Sequence, residues 1–169
     1  METRTRRRSW WVAAVIAVAA LAACGGAKGD DDGEEGFKER LASIVEQASS
    51  RYGELGERAG SVNPNAPLPD DFKAQMRAVA SGDRRAADEI EALTPPQAVA
   101  EVIQQLGAAL RARADAFERA AGATTITLQQ LEEEGSITEA GEQIDRALQQ
   151  LREAGFLLMN SHTTNRDSP

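Results

Sequence analysis

A chain of 169 residues with one cysteine and one histidine lacks the cysteine pairs of a disulfide framework and the ~4 Cys or His ligands of a structural zinc site. Its 27 acidic residues against 19 basic ones, a net charge of −8, run against nucleic-acid binding, which needs a basic face. The composition that remains, 41% hydrophobic and rich in alanine, suits one acidic helical domain.

The first eight residues, METRTRRR, hold four arginines, and Ser9 to Ala23, SWWVAAVIAVAALAA, hold no charge. A cationic start before a short apolar run is the layout of a secretory signal peptide. A membrane-spanning helix takes about 20 apolar residues, and the flank here is GGAKGDDDGEE rather than a basic stop-transfer segment. Residues 1–23 are therefore expected to be a cleaved signal. Arg7-Arg8 before Ser9-Trp10-Trp11 loosely resembles a twin-arginine export signal. Arg6 stands where that pattern prefers Ser or Thr, so ordinary unfolded export is expected.

Leu21-Ala22-Ala23-Cys24 resembles the lipobox of bacterial lipoproteins. The resemblance implies cleavage between Ala23 and Cys24 and transfer of a diacylglyceryl group, with chains such as palmitate, to the Cys24 thiol. The chemistry agrees: a small pair passes a narrow protease site, and a thiolate is the nucleophile that accepts the lipid. The implied location is the cell envelope, at the outer face of the cytoplasmic membrane, or at the outer membrane of a host with two. The membrane is then a partner through the anchor at Cys24. Without residues 1–23 the chain has 146 residues, 15 basic and 26 acidic, a net −11, and no tryptophan.

Cys24 to Gly36 forms the next segment, the lipidated residue followed by GGAKGDDDGEEG, glycine- and acid-rich with no large apolar residue. It reads as a flexible, self-repelling tether with a reach of about 20 Å. The helical domain is expected over residues 37–159, before a disordered tail, 160–169.

Phe37, Leu41, Ile44, Val45, Ala48, Tyr52 and Leu55 form one stripe of 3.6-residue period, predicting a first helix over about 33–56. Asp32 with Glu35 reads as its N-cap pair. RAGSVNPNAPLP, from Arg58 to Pro69, marks a long loop. A second helix over about 70–93 carries Phe72, Met76, Val79, Ala86, Ile90 and Leu93. Its stripe passes through Asp83 just after Ser81-Gly82, where a kink or break is expected.

Leu93-Thr94-Pro95-Pro96-Gln97 places prolines at the first helical positions, with Thr94 and Gln97 as a capping box. The third helix, to about residue 121, shows Val99, Ile103, Leu106, Leu110, Ala114 and Phe117. Thr124–Glu134 reads as a short helix or an extension. Ser136-Ile137-Thr138-Glu139 reads as a second capping box opening the fourth helix, with Ile144, Leu148 and Leu151. Gly155 is expected to cap that helix, with Phe156 folding back on its last turn. The fold predicted is all-α, an antiparallel four-helix bundle. The L-T-P-P junction and the tethered, alanine-rich helical domain resemble small uncharacterised α-helical lipoproteins of high-GC bacteria. Many of those carry a cysteine pair in the domain, which this chain does not have.

Catalytic residues are not evident. His162 is the only imidazole and lies in the polar tail, and no G-x-S-x-G, P-loop or G-x-G-x-x-G motif occurs. Asp30-Asp31-Asp32-Gly33-Glu34-Glu35 does not fit a calcium loop, since Glu35 and Leu41 stand where Gly and a bidentate Glu belong. Glu132-Glu133-Glu134 reads as a solvated helix end. Glu35–Glu39 and Asp115–Arg119 read as ordinary i,i+4 surface pairs. No catalytic, cofactor or metal residue is assigned. The expectation is a non-enzymatic envelope lipoprotein acting through structure or an unidentified protein partner, with a carrier of a small apolar ligand or lipid as the alternative. The apolar surplus Phe156-Leu157-Leu158-Met159 points toward the carrier.

Overall fold

The computed structural model describes residues 33–157. The segment read as a signal peptide, Ala23 and Cys24, the part of the expected tether up to Asp32, and residues 158–169, with Leu158, Met159 and His162, lie outside them. Among the described residues the chain is all-α, with no strand.

The first helix, α1, spans Glu34–Ala59. It starts inside the segment read as tether, because Gly33 already accepts the Phe37 amide at 3.2 Å. Gly33 is thus the N-cap residue, in place of Asp32. Glu34 and Glu35 occupy the first turn, where carboxylates oppose the positive end of the helix dipole.

The second helix, α2, runs unbroken over Asp70–Glu91, so the break allowed for at Ser81-Gly82 does not form. Two contacts explain this. A Cβ at Gly82 would come within 2.8 Å of the Arg51 guanidinium, so glycine permits close packing of α1 on α2. Asp83, which interrupts the apolar stripe, has a buried partner on the next helix.

The prolines also depart from expectation. Pro96 holds Pro95 outside the helical region, as proline does to the residue before it, and Pro96 is itself extended, with ψ 144°. Helix formation therefore begins later, through a 3₁₀ turn at Gln97–Val99 that leads into α3, Ala100–Gly122. Thr94 lies too far upstream to cap it.

A short α4, Leu128–Glu134, follows, opened by a capping box that the sequence reading missed. The Gln130 amide donates to Thr127 Oγ1 at 3.2 Å, and the Thr127 amide donates to Gln130 Oε1 at 3.0 Å. Gly135, at φ 74°, ends α4 and begins α5, Ser136–Glu153. Ser136 consequently falls inside the helix, where its hydroxyl donates to Glu134 rather than capping.

The end of α5 matches expectation. Gly155 sits at φ 78°, its amide donates to Arg152 O, and the Phe156 amide donates to Leu151 O at 2.8 Å. These two bonds are the paired closure of a Schellman motif. Phe156 then meets Phe37 edge to face, ring centres 5.8 Å apart.

The third helix is central, packing along both α2 and α5, while α1 rests on α2. The core is two clusters. One joins Phe37, Leu41, Ile90, Leu106, Leu148 and Leu151; the other joins Leu55, Phe72, Met76, Phe117, Leu131 and Ile137. Each such side chain contributes about 1.5–3 kcal/mol by leaving water. Loops 60–69 and 123–127 are tied by the Leu68 amide donating to Ile126 O at 2.9 Å.

Candidate functional site

Between the two apolar clusters lies a polar layer. Asp83 of α2 is 1% exposed and Arg113 of α3 is 5% exposed. Arg113 donates from Nε and Nη2 to the two Asp83 carboxylate oxygens at 2.7 and 2.9 Å. Such fork-to-carboxylate pairing fixes both direction and distance. The guanidinium also stacks 4.4 Å from the Tyr52 ring of α1, whose centre lies 6.3 Å from that of Phe117.

Exposed ion pairs also cross the α2–α3 seam. Arg84 of α2 reaches Asp115 at 3.0 Å and Glu118 at 3.4 Å. Arg111 of α3 reaches Asp88 at 2.8 Å, and also Glu91. Asp115 is thus paired across helices with Arg84, not along α3 with Arg119. The Arg111 hydrogen bond holds the Glu91 carboxyl below its usual range. These pairs are exposed and each adds little.

A partly open cleft of about 90 Å³ lies between the helices at this level. It is lined by Ile44, Val45 and Ala48 of α1, Ile144 and Leu148 of α5, and Ile90, Leu106 and Leu110, with Ser49, Tyr52, Arg113 and the exposed Asp145 as its polar lining. It exists because α1 and α5 do not pack backbone against backbone along their length. They meet at Phe37 and Phe156, and around a smaller void of about 20 Å³ between Leu55, Leu128, Leu131 and Ile137. Tyr52 lines both spaces. Burial raises its phenol pKa above the ordinary value, Asp145 and Asp83 add to that, and Arg113 opposes it.

The sequence reading assigned its sites to Ala23 and Cys24, outside the described residues. Glu132, Glu133 and Glu134 are exposed. Among the described residues no group of three or more His, Cys, Asp or Glu is placed to hold a metal ion. No described helix is long and apolar enough to cross a membrane. Phe156 and Leu157, read as apolar surplus, pack into or against the core. The Asp83–Arg113–Tyr52 layer was missed. Its signal was available: Arg113 stands on the Leu110–Ala114–Phe117 stripe, as Asp83 stands on that of α2. Two opposite charges on two apolar faces are most cheaply buried against each other.

Comparison with protein-family models, with curated proteins and with solved structures gave no match.

Proposed function

We propose that this protein is a bacterial envelope lipoprotein, held at a membrane by lipid on Cys24 and acting without catalysis through structure or contact with another envelope protein. The observation that carries this reading is Leu21-Ala22-Ala23-Cys24 placed directly behind a cationic start and a fifteen-residue uncharged run. Two acyl chains at ~0.8 kcal/mol per buried methylene anchor a protein stably. A body of net −11 is repelled by an anionic surface, so the lipid alone keeps it there. We read the domain as an antiparallel four-helix bundle of α1, α2, α3 and α5. In support, the start of α1 meets the residue just past the end of α5, through Phe37 and Phe156.

The test is Cys24→Ala, compared with the wild type by membrane fractionation, labelled-palmitate incorporation and intact mass. The variant is expected to leave the membrane fraction and to lose the lipid mass. Identical fractionation and mass would overturn the anchor.

The cavity between α1 and α5 favours a second reading, a carrier of a small apolar ligand. Concave, mostly apolar sites with a few convergent polar groups are where such ligands bind.

A further inference from the structure

Packed helical cores leave few voids larger than a water molecule, yet this one keeps a cleft lined mostly by apolar side chains, with Ser49, Tyr52, Arg113 and Asp145 as its polar lining. We propose that the cleft between α1 and α5 binds the alkyl chain of an uncharged, hydroxyl-headed amphiphile, with the chain along the helix seam and the hydroxyl at Tyr52, Arg113 and Asp145. The proposal rests on the carrier reading and is independent of the anchor at Cys24.

Shape sets the tail. The α1 wall runs from Ile44 to Tyr52, eight residues or about 12 Å at 1.5 Å rise per residue. Ile44, Val45, Leu110, Ile144 and Leu148 present only carbon along it. The contact of Phe37 with Phe156 joins the two helices near the start of α1. A helix about 10 Å across is too wide for a space of about 90 Å³, whereas an unbranched chain is slim enough to lie in it.

Charge sets the head. Arg113 meets Asp83 in a buried pair, so its charge is already balanced, and Asp145, on the exposed side of α5, leaves the polar lining net negative. A carboxylate or phosphate head would be repelled by Asp145. An ammonium head would give up its own hydration for a single carboxylate that itself stays exposed to water. A hydroxyl both donates and accepts, so it serves the Asp145 carboxylate and the Tyr52 hydroxyl together, without bringing a charge out of water.

The chain carries a single tyrosine, so ring-13C tyrosine gives one set of signals that reports on this cleft. The full chain in phosphatidylcholine nanodiscs is titrated with 1-octanol, octanoate and octylamine, with empty discs as the blank for partitioning. Octanol is expected to shift the Tyr52 signals saturably, with the two charged analogues at least tenfold weaker. Gly141→Leu and Ser49→Leu fill the cleft from opposite walls. A Cβ at Gly141 meets nothing within 4 Å, so that variant is expected to keep its helical circular dichroism and lose the shift. Stronger or equal binding of a charged analogue keeps the carrier reading and overturns the headgroup assignment. Unchanged octanol binding in either folded variant overturns the location. No saturable shift with any of the three ligands overturns both the proposal and the carrier reading.

Discussion

The guanidinium of Arg113 lies 4.4 Å from the centre of the Tyr52 ring while two of its nitrogens are bound to Asp83. One cation is therefore held by three helices: α3 supplies it, α2 neutralises it and α1 covers it. Sliding α2 against α3 by a turn, about 5.4 Å, would leave a buried charge without its partner, and sliding α1 would take the Tyr52 ring off the guanidinium. An apolar core tolerates such slips more readily, because one methyl group replaces another. The layer thus fixes the register of a core otherwise made of interchangeable Leu, Ile and Ala.

Removing one partner is the direct test of that pair. Asp83→Ala leaves the Arg113 guanidinium buried and unpaired, an arrangement that costs about 3–5 kcal/mol. The double variant Asp83→Leu with Arg113→Met removes both charges and is expected to regain most of that loss, since apolar replacements of buried pairs are often neutral or better. Urea denaturation followed by circular dichroism measures both. A single variant as stable as the wild type would show that the pair contributes nothing to the fold.

Tyr52 makes stability depend on pH at the alkaline end. Burial raises its pKa, with Asp145 and Asp83 adding and Arg113 opposing. Below the unfolded value near 10 both states keep the proton, and the contribution is whole. Above it the unfolded chain releases its proton first, so stability falls as pH rises from about 10 through the folded value. The melting temperature of the wild type is expected to drop over that window more than that of Tyr52→Phe. Phenolate absorbance follows the lone tyrosine directly, and Asp145→Asn is expected to bring its titration down. An unchanged titration in that variant would remove Asp145 from the site.

Helix positions were legible because apolar residues at 3.6-residue spacing state which face is buried without needing a partner. Phe37 to Leu55 and Ile137 to Leu151 fall where that pattern puts them. Helix ends were legible only where one residue decides the geometry alone. Gly155 does so, since its positive φ is open to glycine and costly to others. Ser136 and Thr94 do not, because a cap depends on where the preceding backbone turns, and Gly135 and Pro96 moved that point. The cleft was not legible at all. It arises from how far α1 and α5 stand apart, and no local spacing encodes a distance between two helices separated by 76 residues of chain.

The C-terminal end of α3 is held from α2. Lys73 Nζ donates to Ala123 O at 2.8 Å and Thr124 O at 3.3 Å, and Arg77 donates to Ala121 O at 2.7 Å. Carbonyls at a helix end lack intrahelical donors, and cations there also meet the negative end of the dipole. Lys73→Met keeps the stem and removes the donor, so it is expected to cost about 0.5–1.5 kcal/mol, the usual net worth of a hydrogen bond whose acceptor water can still reach. Native-state hydrogen exchange should speed up selectively between Phe117 and Ala123. Uniformly faster exchange across all helices would show instead that Lys73 acts through the whole fold.

The last turn of α5 supplies the sharpest test of how the chain closes on itself. Gly155 adopts φ 78° so that the Phe156 amide can reach Leu151 O, and this aims the Phe156 ring at Phe37. Gly155→Ala puts a Cβ at a left-handed position, a strain of about 1–2 kcal/mol, although open space surrounds it. Phe156→Ala keeps the turn but empties its place in the core, which costs about 3–5 kcal/mol for a well-packed ring. The two losses share one contact, so the double variant is expected to lose less than their sum. Thermal unfolding of the three variants gives the coupling. Strict additivity would mean that the turn and the ring contact act independently, and that Gly155 does not position Phe156.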